Sequence, residues 1–439
     1  MLTVIARAFK SPDLRKKLLF TVMILAIFRL GSQWPSPGID YNGIQQCLAG
    51  VDQTQQNGFL SMADLFSGGA LLQLSIFALG IMPYITASII IQLLTVVIPR
   101  FETLKQEGQA GTTKLTQYTR YLTIGLAVLQ SSTLITIARN PRTLFGNNPN
   151  CTSILMDDGM VTILIMVLAL TAGTGLIMWL GELITDRGIG NGMSLLIFTS
   201  IASRFPRSLW SIQEGKGWST FVMVLVMGVL VMAAVIFVEQ SQRRIPVQYA
   251  KRMVGRQMYG GTSTYIPMKV NMAGVIPVIF ASSLLALPGM IAQFNRNPTG
   301  SAAWVDWIDA NLVKGDHPIY MAAYTLLILF FTFFYVSITF NPTEVADNMK
   351  RYGGFIPGIR AGRPTAEYLS YVLNRITLPG AIYLAIVSLI PLVALVLIGA
   401  DANFPFGGTS ILIIVGVGLD TVKQIESQLQ QRNYEGFLR

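Results

Sequence analysis

The residues best equipped for chemistry in this chain are few: two cysteines (Cys47, Cys151), one histidine (His317), and the glycine-rich stretch DRGIGNG at 186–192. A metal site needs ligands at regular short spacings, and neither cysteine shares such a spacing with the other or with His317. DRGIGNG superficially resembles a phosphate cradle. No strand pattern precedes it and no Walker lysine follows, so it reads as a tight loop opening a helix. HExxH, GxSxG and paired buried carboxylates are all missing from the sequence. No hydrolase or ATPase activity, no metal and no cofactor is expected.

The remaining chemistry belongs to arginine. EQSQRRIPVQYAKRMVGRQMYGGTSTYIPMK (239–269) carries Arg243, Arg244, Arg252 and Arg256 among Tyr, Pro and Gly, and RYGGFIPGIRAGRP (351–364) carries Arg360. Guanidinium forks contact carboxylate or phosphate in bidentate fashion, so these loops suit an acidic protein face or RNA. A topology signal alone would need charge without the glycines, prolines and aromatics, which point to ordered, protruding hairpins. Cys47 and Cys151 both fall in predicted outer loops, where oxidation is possible and their pairing stays open.

The elements that position these groups are membrane helices. The 439 residues are 52% hydrophobic and 12% charged, with a mean hydropathy of +0.53, which excludes an ordinary soluble domain. Apolar runs fall near 18–36, 73–98, 121–138, 159–181, 188–204, 219–238, 271–293, 318–340, 376–399 and 408–424. Ten spans put both termini on one side, and 24 of the 32 Lys and Arg lie there. The positive-inside rule makes that side cytoplasmic. The first run, LLFTVMILAIFRLGSQW, lacks a small-residue cleavage pattern and reads as an uncleaved span. Arg29 is the clear charge within a span, near its outer end, where snorkelling to the interface accounts for it.

One phrase is written twice. FALGIMPYITASIII (77–91) and NMAGVIPVIFASSLL (271–285) align at an offset of 194, matching Gly80 with Gly274, Pro83 with Pro277, and Ile85 with Ile279. The copies fall in the second and seventh spans, which run in opposite directions. This is the pattern of two inverted, pseudo-symmetric five-helix halves, 1–210 and 211–439. The expected fold is therefore an all-α integral membrane protein with ten transmembrane helices around a central pore. Pro83 and Pro277 are expected to kink their helices across that path. Glu182, Asp186, Glu239 and Asp420 fall at membrane ends, so mid-membrane charge for binding a small solute is missing. Ile81, Ile85, Ile276 and Ile279 suit a constriction that seals by excluding water.

The outer loop 35–72 holds no Lys or Arg and ends in GFLSMADLFSGGALLQLS. It is a half-helix with Gly68 and Gly69 as a hinge, folded into the vestibule, or an amphipathic turn on the surface.

FSGGALLQLSIFALGIMPYITASIIIQLLTVV, GQAGTTKLTQYTRYLT, MWLGELITDRGIGNGMS, QRRIPVQYAKR, VNMAGVIPVIFASS, FNPTEVADNMKRYGGFIPGIRAG and FGGTSILIIV together resemble the SecY family of protein-translocase channels across essentially all ten spans. That resemblance implies an hourglass pore for unfolded secretory polypeptides in the cytoplasmic membrane of a bacterium. Its ring would be Ile81, Ile85, Met193, Ile279 and Ile413. Met193 departs from the usual branched aliphatic and would soften the seal. The plug would span about 60–70, with Met62, Leu65, Phe66, Gly68 and Gly69.

The resemblance also implies a sideways opening between the second/third and seventh/eighth spans that releases hydrophobic segments to membrane lipids. Gln92, Gln130 and Asn271 are the polar residues able to hold such a seam shut until a signal sequence competes. Arg360 would serve a SecA motor ATPase, and Arg243, Arg244, Arg252 and Arg256 a translating ribosome. SecE and SecG are the implied small partner subunits. An inverted-repeat transporter of a small solute is the competing reading, and a membrane scaffold a third.

Overall fold

A computed structural model describes residues 9, 11–49, 67–139, 154–157, 159–249, 252–254, 257–259, 263–294, 303–313, 317–398 and 408–437. The helices, in chain order, are α1 (Pro12–Gly31), α2 (Tyr41–Ala49), α3 (Met82–Val97), α4 (Pro99–Gln106), α5 (Gln109–Ala138), α6 (Met160–Arg187) and α7 (Gly192–Gln240). After the strands of residues 242–269 come α8 (Ile276–Phe294), α9 (Ala303–Ile308), α10 (Pro318–Thr339), α11 (Pro342–Arg351), α12 (Arg363–Ile398) and α13 (Gly408–Phe437).

Local chemistry marks many of the ends. Proline occupies the first turn of α1, α3, α4, α10 and α11, where its missing N–H would lack an intrahelical partner anyway. Asn191 caps α7 by accepting from Met193 N (3.1 Å) and Ser194 N (3.5 Å), so DRGIGNG is a capped loop rather than an anion cradle. Asn341 caps α11 in the same way, through Thr343 N and Glu344 N.

Each of the ten apolar runs coincides with helix, but the ends differ from expectation. The second run is helical only from Met82, because residues 68–81 form successive turns. The fifth and sixth runs share α7, whose two parts meet at Gly217 (φ +82°), so the loop expected between them is largely helical. Among the described residues, four helices are long and apolar enough to cross a membrane: Met160–Arg187, Gly217–Gln240, Pro318–Arg351 and Arg363–Ile390. The pair Met82–Val97 and Pro99–Lys105, bent by 104°, makes up to five. The rest fall short for visible reasons, such as the 16-residue length of α3 and the charges Asp13, Arg15, Lys16 and Lys17 in α1.

The fold is mostly helical rather than all-α, because the basic loops build strands. β1 (Gln242–Tyr249) pairs antiparallel with β4 (Ser263–Lys269), in register from Gln242↔Lys269 to Gln248↔Ser263. β2 (Arg252–Val254) and β3 (Gln257–Tyr259) form a hairpin between them, and β5 (Gly354–Phe355) joins the other edge of β1. The cause is a period-two pattern in RRIPVQY that buries Ile245 and Val247 while Arg244, Pro246 and Gln248 face out. Ile245, Val247 and Met268 pack with Val336, Met349, Ile356, Leu369 and Val372, tying both loops to α10, α11 and α12.

Three further large cores and one small one, of Leu14, Ile189 and Ile425, lie in the helical body. One draws on residues 39–170, among them Ile44, Leu74, Ala127 and Met166. A second draws on α7, α8, α10, α12 and α13, with Ile89 of α3 joining them. The third lies where these meet and takes residues from both ends of the chain.

Candidate functional site: a central aliphatic cluster

The two copies of Gly-x-x-Pro fold alike. Gly80 has φ +56° and Gly274 φ +62°, a left-handed conformation that glycine adopts without a Cβ clash. Helix follows at once, from Met82 and from Ile276. Ile85 N donates to the Ile81 carbonyl (3.1 Å), and at the same 194-residue offset Ile279 N donates to the Val275 carbonyl (3.2 Å). The kinks expected at Pro83 and Pro277 are therefore corrected. Each proline stands in the first turn of a helix that starts there, and the preceding glycine makes the break.

These helix starts converge on the third core. Ile81 (3% exposed), Ile279 (6%) and Ile413 (1%) are buried in it, with Ile85 and Met193 packed against them. Five residues separated by up to 332 positions thus share one apolar cluster, contributed by the lead-in to α3, α3 itself, α7, α8 and α13. Ile24 and Phe28 of α1 and Ile177, Leu180 and Ile184 of α6 complete its wall. Met193 is set down against Gly181, where any Cβ would overlap its sulfur. Ile276 packs instead with the second core, beside α8 and α10. An apolar contact surface of this kind excludes water.

Beside this cluster the chain 67–81 is strapped to α1 and the residues that follow it. Ser36 N donates to the Leu74 carbonyl (3.1 Å), Ile76 N donates to the Trp34 carbonyl (3.0 Å), and Phe77 stacks on Phe28 at 5.9 Å. Gly68 (φ +70°) and Gly69 (φ +93°) lead into this segment. Arg29 does not snorkel as expected: its Nη1 donates to the Gly68 carbonyl at 3.0 Å. The sequence marks the charge but not this partner, a backbone oxygen 39 residues away. Met62, Leu65 and Phe66 lie outside the described residues.

The seam residues are dispersed. Gln92 is exposed on α3, Gln130 half-buried on α5, and Asn271 buried (3% exposed) ahead of α8. Asn271 Nδ2 donates to Glu239 Oε1 (2.6 Å) and to the Gly274 carbonyl (3.1 Å), not to either glutamine. This bond closes the neck of the β1–β4 hairpin, since Glu239 precedes β1 and Asn271 follows β4. Lys269 and Asp420 add an ion pair at 3.6 Å beside it. Between α5 and α6, Arg120 and Glu182 form a bidentate pair (2.8 and 2.7 Å). Sequence reasoning placed Glu182 at a membrane end but missed both acidic partnerships.

Arg243 and Arg244 are both exposed near the start of β1, Arg244 on its outward face over the Tyr265 ring at 4.8 Å. Arg252 stands opposite Tyr259 in the β2–β3 hairpin, and Arg256 lies outside the described residues. Arg360 is exposed, in a turn whose backbone is held by Thr365 Oγ1 donating to its carbonyl (2.8 Å). The pairing Gln248↔Phe355 and Tyr249↔Gly354 sets the two loops side by side. Cys47 is disulfide-bonded; the only other cysteine, Cys151, lies outside the described residues.

Comparison with known proteins gives a consistent result. The SecY family model matches residues 75–422. The chain is 65% identical over 443 aligned residues to the protein translocase subunit SecY of Streptomyces galbus, with 100% of both chains covered. Among solved structures, one described as that of a protein-conducting channel aligns with a TM-score of 0.62 at 18% identity, covering 94% of this chain and 91% of that one. Sec61 in the canine ribosome–channel complex from the endoplasmic reticulum aligns with a TM-score of 0.59 at 17% identity, over 94% and 91%.

Proposed function

The chain belongs to the SecY family, and from that premise we propose that it is the membrane-embedded, protein-conducting channel subunit of a bacterial translocase. It is a channel subunit and not an enzyme. The single observation that carries the pore assignment is the central cluster. Ile81, Ile85, Met193, Ile279 and Ile413 are far apart in sequence and share one apolar cluster, which supports reading them as a collar. Such a collar seals by dewetting and parts for any polypeptide, whatever its sequence. The small-solute transporter has no support, since family membership stands against it.

The finer reading has the ten helical runs cross the membrane in two inverted halves, 1–210 and 211–439, with both termini cytoplasmic. The repeated Gly-x-x-Pro geometry supports the inversion, and the excess of Lys and Arg on one side supports the orientation. The disulfide at Cys47 supports placing its loop outside, because disulfides persist in oxidising compartments. The segment around 60–70 acts as the plug, hinged at Gly68 and Gly69. The second/third and seventh/eighth spans part to release hydrophobic segments to lipid. In this arrangement Asn271 acts through its bond to Glu239, and Gln92 and Gln130 border the seam from the other half.

Arg360 and the β1–β4 hairpin form one cytoplasmic docking face, supported by the strand pairing that joins their loops. Its partners are the SecA motor, a translating ribosome and signal sequences, with SecE and SecG as companion subunits. The test is reconstitution. Vesicles holding the purified chain with SecE, SecG and SecA should protect a signal-bearing polypeptide from protease when ATP is supplied. Protection that is equal without the chain would refute the assignment.

A further inference from the structure

We infer that Trp210, Trp218, Trp304 and Trp307 form a membrane-interface belt at one face of the protein, and that the partner of this surface is the headgroup layer of the bilayer. The inference rests on the membrane reading above.

Helix length locates that face. The second part of α7, Gly217–Gln240, is 24 residues of apolar helix. At about 1.5 Å per residue it spans about 36 Å, against a hydrocarbon core of about 30 Å. Gln240 leads directly into β1, so Gly217 stands at the opposite interface from the strands. α10 gives the same answer. Its 22 residues span about 33 Å. Val336, near its C-terminus, packs with Ile245 and Val247 of β1, so Pro318 also lies at the far face.

Two connections meet there, and they carry four of the six tryptophans of the chain. Trp218 follows the break at Gly217 and packs edge-to-face on Phe221 at 5.6 Å. Trp210 precedes the break by two turns of helix, at most about 10 Å away. Trp304 and Trp307 lie on α9, between α8 and α10. All four are between 46% and 65% exposed.

Both connections are seated from the other side. Phe205, Leu209 and Ile212 of α7 pack on the second core, as does Leu312 in the π-helical turn Asp309–Val313 that follows α9. Val305 of α9 is fully buried. Trp304 and Trp307, three residues apart, share one flank of α9, while the exposed Asp306 takes the other. A surface with indoles on one flank and a carboxylate on the next suits a boundary between hydrocarbon and water. Tryptophan buries a large apolar ring there and keeps its N–H for water or a headgroup. The strand end of the protein differs in kind. There Arg244 lies over the Tyr265 ring and Arg375 over the Tyr371 ring, which suits aromatics facing water.

The experiment uses the full chain, purified and reconstituted into phosphatidylcholine vesicles. Trp34→Phe and Trp179→Phe leave the four belt indoles to report alone. The vesicles carry phospholipid brominated near the headgroup, at mid-chain or at the chain end, since bromine quenches tryptophan fluorescence on contact. The belt predicts the greatest loss of fluorescence from the shallow bromines and the least from those at the chain end. That order corresponds to a depth within about 10 Å of the headgroup boundary, against about 15 Å for the bilayer centre. Further substitution of Trp304 and Trp307 by Phe, or of Trp210 and Trp218, reads each connection separately, and both should keep the same order. Should the double variant fail to accumulate, the wild-type chain decides, because four of its six indoles belong to the belt.

Strongest loss from the chain-end bromines would overturn the belt, and so would quenching by aqueous iodide with none by lipid. Recovery of fluorescence when the companion subunits are added would also overturn it, by giving the face to a protein. Release of the wild-type chain from the vesicles by alkaline carbonate is a different failure, and would remove the membrane reading itself.

Discussion

Replacing Asn271 by leucine removes two hydrogen-bond donors at the neck of the β1–β4 hairpin while nearly preserving volume. The donor to Glu239 Oε1 lies at 2.6 Å and that to the Gly274 carbonyl at 3.1 Å, with Asn271 only 3% exposed. A bond to a charged group contributes about 1.5–3 kcal/mol and one between neutral groups about 0.5–1.5, so the variant should lose about 2–4.5 kcal/mol. The two terms separate in a double-mutant cycle. Glu239→Met removes the carboxylate, after which Asn271→Leu should cost only the Gly274 bond. The expected coupling is therefore about 1.5–3 kcal/mol, against about 0.3–0.5 for independent sites. The readout is denaturant unfolding of the purified, solubilised protein in the four variants. Additive losses would show that the 2.6 Å contact carries no net stabilisation, and the neck would not be clasped as described.

The same Asn271→Leu variant should also relax signal stringency in cells; unchanged export of a weakened-signal reporter would remove Asn271 from the gate. Gly80→Ala and Gly274→Ala should each destabilise the protein by about 1–2 kcal/mol, because both positions need a left-handed backbone that a Cβ disfavours. Melting curves with no loss for either would contradict the matched geometry of the two repeats. Cys47→Ser should give non-reduced protein the gel mobility of reduced wild type, and unchanged mobility would argue against the disulfide. Arg360→Glu should abolish motor-driven export of a soluble reporter with little change in protein level, since the side chain is exposed and its backbone turn is held by Thr365. Intact export would withdraw the docking role.

Much of this was readable from residue order, and the failures have physical causes. Each of the ten apolar runs contains helix, although only four or five of the described helices are long and apolar enough to cross a membrane, and the doubled Gly-x-x-Pro folds with a matched backbone at Gly80 and Gly274. Whether a proline bends a helix or begins one depends on how the preceding chain is held, and the straps from Ser36 and Trp34 to Leu74 and Ile76 are long-range contacts. Composition pointed to Ile81, Ile85 and Ile279 but could not separate Met193 from Leu195 and Leu196, or Ile413 from Ile411 and Leu412, which are equally apolar neighbours. Those two positions, proposed for the ring, rest on family resemblance. Arg29 was misread because its acceptor is a main-chain oxygen, which no residue type advertises. Glu239 was placed at a membrane end, yet nothing in its spacing from Asn271 across an intervening hairpin announced their bond.

In the proposed channel the cluster around Ile279 is the waist through which a polypeptide moves. A cysteine at Ile279, in an otherwise cysteine-free functional variant, tests it against a secretory chain stalled partway and bearing one cysteine of its own. A disulfide whose yield depends on where the stalled chain carries its cysteine is the predicted result. A normally stalled chain that never joins to position 279, wherever its cysteine is placed, would contradict it.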